Sequence, residues 1–270
     1  MIKSCFHVHT NWCDGKSTIE EMIESAIKKG FTHLGFSGHS FLENAEKYSL
    51  TPDRLDKYVK EVETAKVKYA DKLKIFLGIE QDYYSKPASY PFEFCIGSVH
   101  NIEKNGKLLF FDLGKEETER IIREVYDKKY VLFAKDYFET ISNVVDVTGA
   151  DIIGHIDLCC KYNEKLGNRQ TEEYLEYAEK AVDKLVKTGA IFEINTGAMA
   201  RGHKTSPYPS VEILKMIYSR GGKIMINSDC HKHEQLDFAF PEAQALARKV
   251  GFTKHYIFNG QNFTSINFED

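Results

Sequence analysis

Six short apolar runs in this chain each end on a histidine, an aspartate or a glutamate. His7 and His9 follow residues 2–6, and His39 follows 32–38. Glu80 follows 73–79, His100 follows 92–99, His155 follows 150–154, and Asp229 with His231 follows 223–228. A carboxylate at the end of a buried run needs an ion or a positive partner. The runs are separated by segments with helical periodicity. Residues 17–29 carry Ile19, Met22, Ile23, Ala26 and Ile27 on one stripe. Ser17 or Thr18 serves as N-cap, Glu20 or Glu21 completes a capping box, and Gly30 closes the helix. Thr51-Pro52 opens a second amphipathic helix to about Tyr69. Further helices are expected near 114–129, 134–146, 171–188, 209–219 and 241–250, and further strands at 190–195 and 255–259. Asn105-Gly106 predicts a small hairpin within 101–111.

Strand–helix alternation implies a mostly parallel sheet covered by helices. An open doubly wound sheet and a closed barrel both satisfy it, and the ligand positions decide between them. In a barrel, the C-terminal ends of many strands converge on one mouth. In an open sheet, strand ends far from the crevice could not reach a common centre. An α/β fold built as an irregular TIM-like barrel is therefore expected. No Gly/Pro/Ser-rich linker divides the chain, so residues 1–270 read as one domain.

His7 and His9 are two apart, which in a strand puts both rings on one face. His/Asp/Glu donors suit Zn, Mn or Fe(II). Several such ions can share a bridging carboxylate, and a hydroxide between two of them is a strong nucleophile near neutral pH. Any one strand-end histidine is more often a hydrogen-bonded core or surface residue; the joint pattern is what carries the metal reading. Asp14 is the weakest member, since Cys13-Asp14-Gly15 also reads as a plain turn.

The net charge is -4, from 36 basic and 40 acidic side chains, so nothing predicts the basic footprint that nucleic acid requires. No apolar stretch approaches the roughly 20 residues that cross a bilayer, so no membrane partner is expected. MIKSCFHVH is too short and polar for a signal peptide. The six cysteines fit neither a zinc finger nor a disulfide scaffold, and Cys5 and Cys95 fall inside apolar runs as small buried hydrophobes. A cytoplasmic location with reduced thiols is expected, and assembly into a homo-oligomer is left open.

FHVHTNWCDG, GFSGHSF, FLGIEQDYY, FCIGSVH, IIGHIDL, FEINTG and INSDCH resemble the PHP (polymerase and histidinol phosphatase) superfamily, from about residue 4 to about residue 262. IGSVH and GHIDL look like the histidinol-phosphatase branch. The resemblance implies an irregular (β/α)7 barrel (the PHP fold) and three divalent ions, Mn, Zn or Fe, at its mouth. It implies that His7, His9, Glu80 and Asp229 hold the first ion. Glu80 would bridge to a second, held with His100 and His155. Asp14, His39 and His231 would hold the third. The implied reaction is attack of a metal-bound hydroxide on L-histidinol phosphate, a small phosphomonoester, giving L-histidinol and phosphate in histidine biosynthesis. Asp229, His231 and Arg201 form the candidate catalytic set.

Phosphate also needs a cation outside the metals. Arg201, in the loop NTGAMARGHK, is the first candidate, with His203 and Lys204 beside it. Many relatives carry an arginine after GHIDL, where this chain has Cys159, Cys160 and Lys161. Lys161 supplies a point charge and not a bidentate fork. Cys160 reads as a neutral filler. Phe41, Glu43, Asp82, Tyr83 and the 101–111 loop are placed to meet the rest of the substrate. Rival readings are a PHP phosphoesterase acting on nucleotides or other small phosphomonoesters, a 3′–5′ exonuclease, and a metal-stabilised binding module. The last predicts damaged ligands, whereas all nine positions hold competent ones.

Overall fold

The computed structural model describes residues 2–168 and 170–268; positions 1, 169, 269 and 270 of the expected domain lie outside them. In chain order the strands are β1 (Ser4–Cys5), β2 (His33–Phe36), β3 (Lys74–Asp82), β4 (Phe94–Ser98), β5 (Ile102–Lys104), β6 (Lys107–Leu109), β7 (Ile152–Ile153), β8 (Ile191–Asn195), β9 (Lys223–Asn227), β10 (Lys254–Phe258) and β11 (Phe263–Asn267). The helices are α1 (Ile19–Lys28), α2 (Pro52–Lys68), α3 (Lys115–Glu124), α4 (Tyr130–Ile141), α5 (Val144–Thr148), α6 (Asn163–Leu166), α7 (Glu172–Val186), α8 (Gly197–Ala200), α9 (Val211–Ser219) and α10 (Phe240–Val250).

Seven strands form one sheet in the order β1-β2-β3-β4-β7-β8-β9, and every neighbouring pair is parallel. The sheet curls until its two edges meet. Phe6 N–H donates to Asn227 Oδ1 at 2.8 Å, and His9 N–H donates to the Cys230 carbonyl at 3.0 Å. The result is a near-closed seven-stranded barrel, as expected. Helices cover it, with α4 packed on α7, α7 on α9 and α9 on α10.

The barrel interior is filled by Phe6, Phe76, Phe94, Ile96, Ile152, Ile191 and Met225, all buried. A Cβ on Gly78 would lie 2.3 Å from the Phe94 ring, so only glycine lets that ring cross the barrel. This floor excludes water from below and leaves the polar residues one or two pleats higher to face the mouth.

The capping box at Thr18 and Glu21 forms as expected, and α1 buries Ile19, Met22, Ile23 and Ala26. Two expectations need correction. The helix near 114–129 stops at Glu124, and Asp127 and Lys128 then take φ of 49° and 61°, which no helix continues. The helix near 134–146 is two helices, α4 and α5. Asn143 Nδ2 donates to the Glu139 carbonyl at 2.7 Å, a side-chain bond of the kind that competes with the helix ladder. The strand expected at 255–259 forms as β10, outside the barrel sheet and paired antiparallel with β11. Ile257 and Phe258 of that hairpin plug the barrel floor beside the strand starts at Ile2–Ser4 and Thr32–His33.

The β5–β6 hairpin forms, with Asn105 and Gly106 at φ 53° and 73°. Cys5 is buried, but Cys95 is only half-buried. No helix among the described residues is long and apolar enough to cross a membrane.

Candidate metal centre

Glu80 is the hub of the barrel mouth. Its Oε2 lies 3.2 Å from His7 Nε2, 3.3 Å from His9 Nε2 and 2.9 Å from His39 Nδ1. Its Oε1 lies 3.2 Å from His155 Nε2 and 3.4 Å from His100 Nε2. Asp229 Oδ1 is 3.3 Å from His9 Nε2 and 3.7 Å from His7 Nε2. Asp14 Oδ1 is 3.6 Å from both His9 Nδ1 and His39 Nε2, and its Oδ2 is 3.1 Å from His231 Nε2. All nine candidate ligands, the eight at run ends and Asp14, therefore stand in one cluster.

The atoms fit metal ions. Nitrogen and oxygen donors at about 2.1 Å from one ion are about 3.0–3.4 Å apart at right or tetrahedral angles. Most separations at Glu80 fall in that range. His7 Nε2, His9 Nε2, Asp14 Oδ1 and Glu80 Oε2 are buried with no hydrogen-bond partner. Four such atoms in one place would be costly unless a cation satisfies them. The compact donor sets are His9-Asp14-His39-His231, His7-His155-Asp229, His7-His9-Glu80 and His39-Glu80-His100. These sets share members, as bridging ligands do.

The cluster is electrostatically hungry for positive charge. Burial pushes the Glu80 carboxyl up, but the His7, His39 and His100 rings hold it well below its usual range. Burial likewise opposes ionisation of Asp229, and Arg201 and His7 overcome it. Burial pushes His100 down, and Glu80 with Asp82 outweighs it, leaving the ring at about 9. The acids thus stay anionic, and protons or metal ions compete for the space between them.

Two of the rings are held from behind by carboxylates. His7 Nδ1 meets Glu193 Oε1 at 2.7 Å, and His100 Nδ1 meets Asp82 Oδ2 at 3.1 Å. Such backing would fix the tautomer and present Nε2 to a bound ion. Glu193 is fully buried and also accepts from Asn227 Nδ2 at 3.1 Å, the His155 N–H at 3.0 Å and Asn195 Nδ2 at 2.9 Å. Sequence reasoning passed over Glu193, although it interrupts an apolar strand in the way Glu80 does. Asp82 proves to be an anchor for His100. Asp229 takes φ 46°, a left-handed conformation unusual outside glycine, in the turn that aims its carboxylate at the cluster.

The cluster opens into a cleft of about 260 Å³. Arg201 and Lys161 line it; Phe41, Glu43 and His203 do not, and Leu42, Ala45 and Tyr48 take the places expected of Phe41 and Glu43. The Arg201 guanidinium donates to Asp229 Oδ2 at 2.9 Å and to the Asp229 carbonyl at 2.8 Å. Lys161 Nζ is paired with Asp112 Oδ1 at 2.7 Å. His203 packs edge-on against Tyr162, and burial with nearby Lys161 lowers it to about 4. Cys160 is buried beside Asp157, both of which push its thiol up, so it is the expected inert filler. His33 stacks on Phe76 at the far end of the barrel, and His233 meets Ser17 Oγ at 3.0 Å.

A family model, the PHP domain, matches residues 6–197 of this chain. The chain belongs to the PHP domain family. This PHP chain is 27% identical over 256 residues to a protein of Schizosaccharomyces pombe named probable histidinol-phosphatase, covering 87% of this chain and 82% of that one. Its fold matches a crystal structure described as a putative histidinol phosphatase of Listeria monocytogenes, with a TM-score of 0.80 at 21% identity over 89% of this chain and 99% of that one. It also matches the histidinol phosphate phosphatase of Lactococcus lactis, whose structure is described as a complex with zinc, L-histidinol and phosphate. There the TM-score is 0.71 at 22% identity, over 97% of this chain and 98% of that one. At these identities the two structures speak to the fold.

Proposed function

We propose that this PHP-domain chain is a metal-dependent histidinol-phosphate phosphatase, releasing phosphate and L-histidinol. The observation that carries the reading is the mouth cluster itself: Glu80 and eight other His and Asp side chains, five of their buried atoms without a protein partner. The named relatives and the cleft beside the cluster support the substrate class. The same reading takes residues 1–270 as one catalytic domain.

Three ions are proposed. His7, His9, Glu80 and Asp229 hold the first, Glu80 with His100 and His155 the second, and Asp14, His39 and His231 the third. Bound ions of the Mn, Zn or Fe(II) class supply an activated water near neutral pH and positive charge against phosphoryl oxygens. The chain's own groups do the rest. Arg201, held by Asp229, turns its remaining N–H groups to the phosphate as a planar fork. Lys161, which also lines the cleft, adds a point charge. Glu193 and Asp82 keep the His7 and His100 rings from turning. The apolar floor below shields the site from bulk water.

Phosphate release from L-histidinol phosphate and from nucleoside 5′-monophosphates, measured side by side, tests the reading. Higher kcat/KM on L-histidinol phosphate is expected. Equal or faster turnover of the nucleotides would replace it with a nucleotide phosphoesterase.

A further inference from the structure

Five acidic side chains line the cleft: Asp14, Glu80, Asp82, Asp112 and Asp229. Asp14, Glu80 and Asp229 belong to the metal cluster. Asp82 is consumed, its Oδ2 by the His100 ring and backbone N–H and its Oδ1 by the Tyr84 N–H. Asp112 differs. Among the described residues its one hydrogen-bond donor is Lys161, on Oδ1, while a carboxylate can accept about four hydrogen bonds. The fold thus keeps, in the wall of its cleft, one carboxylate outside the metal cluster with an oxygen to spare.

Lys161, His100 and His155 are the basic groups that act on it, and an apolar rim lines the same cleft. Phe110, two residues before Asp112, and Leu113, directly after it, also line the cleft. Leu113 is 59% exposed, and Tyr48, another lining residue, is 41% exposed. Large apolar side chains left in water at the rim of a polar site gain by covering the organic part of a ligand.

We propose that Asp112, walled by Tyr48 and Leu113, is the leaving-alcohol subsite, and that it selects phosphomonoesters whose alcohol carries an ammonium group. This rests on the phosphatase reading above and names the residue that sets its specificity. Lys161 and Asp112 then present a cation and a carboxylate side by side, matched to a substrate that carries a phosphate and an ammonium. Lys161 serves the phosphate end, Asp112 Oδ2 receives the ammonium, and the apolar rim covers the rest of the alcohol.

The test is the ratio of kcat/KM for L-histidinol phosphate to that for its deamino analogue, 3-(imidazol-4-yl)propyl phosphate. Any change in phosphate handling acts on both compounds and cancels. Wild-type protein is expected to favour the amine by tenfold or more. Asp112→Asn should cut that ratio at least tenfold, mainly through KM for the amine, with bound metal unchanged. Lys161→Met should slow both compounds and leave the ratio at or above the wild-type value. A ratio unmoved by Asp112→Asn overturns the subsite, as does loss of metal in that variant, or a ratio that falls in Lys161→Met. Wild-type protein inactive on both compounds sinks the phosphatase reading and the subsite together; activity on both with an unmoved ratio sinks the subsite alone.

Discussion

Replacing Glu193 by glutamine keeps the shape of a fully buried side chain and changes one acceptor oxygen into a donor. Four donors converge on the native carboxylate, two on each oxygen: His7 Nδ1 and Asn227 Nδ2 on Oε1, the His155 N–H and Asn195 Nδ2 on Oε2. Neither asparagine can flip to compensate. Asn195 Oδ1 already accepts from the Gly197 N–H, and Asn227 Oδ1 from the Phe6 N–H, each at 2.8 Å. Whichever way the glutamine amide turns, two donors face a donor. Losing two such bonds in a dry site costs about 2–4 kcal/mol. For a chain of this size that is roughly 4–7 °C of melting temperature. Removing the group that orients a metal-binding histidine typically weakens the metal about 10–100-fold. Chelator competition for Zn(II) reads the affinity, and calorimetry of metal-free protein reads the melt. A lower melting temperature with affinity unchanged within about twofold would refute the orienting role and leave Glu193 a structural residue.

A Cβ at Gly197 would lie 2.8 Å from Asp229 Oδ2 and 2.9 Å from Arg201 Nη2. Gly197→Ala should therefore push that pair apart and lower phosphatase kcat tenfold or more with little change in melting temperature; unchanged kcat would contradict the geometry. Arg201→Ala should raise KM for phosphomonoesters and, because Arg201 also holds Asp229, weaken the proposed first ion; metal content by atomic emission checks the second effect, and wild-type metal with a raised KM would confine Arg201 to phosphate. His255 is buried against Phe268, and burial lowers it to about 4. The unfolded chain takes up that proton near pH 6.5 and the native state does not, so stability is full above about 6.5 and falls as the pH drops toward 4. That contribution amounts to about 3 kcal/mol. His255→Leu should flatten this part of the urea-unfolding profile, and an unchanged slope would count against a buried neutral ring.

The His/Asp/Glu cluster was legible because charge at the end of an apolar run is expensive, and His7, His39, Glu80, His100, His155 and Asp229 each close one such run. The barrel followed from asking where those ends could meet. Glu193 was equally charged and equally buried, but its apolar run continues past it to Ile194, whereas polar Gln81 and Asp82 follow Glu80, and no histidine stands beside it in sequence, so nothing local ties it to His7. β11 escaped because Phe263–Asn267 is mostly exposed and owes its pairing to β10. The choice of Leu42 over Phe41 at the cleft depends on loop torsions after His39 that no periodicity encodes. Asp112 was hidden for the same reason, in a connection whose path over the mouth is set by tertiary packing.

The central claim is that this mouth is a working metal centre. Metal-stripped protein, titrated separately with Mn(II), Zn(II) and Fe(II) while phosphate release from L-histidinol phosphate is followed, tests it most directly. The account predicts no turnover without metal, and activity rising to a break near three equivalents per chain with at least one ion. Full turnover by the stripped protein, or none with any of the three metals, would contradict it.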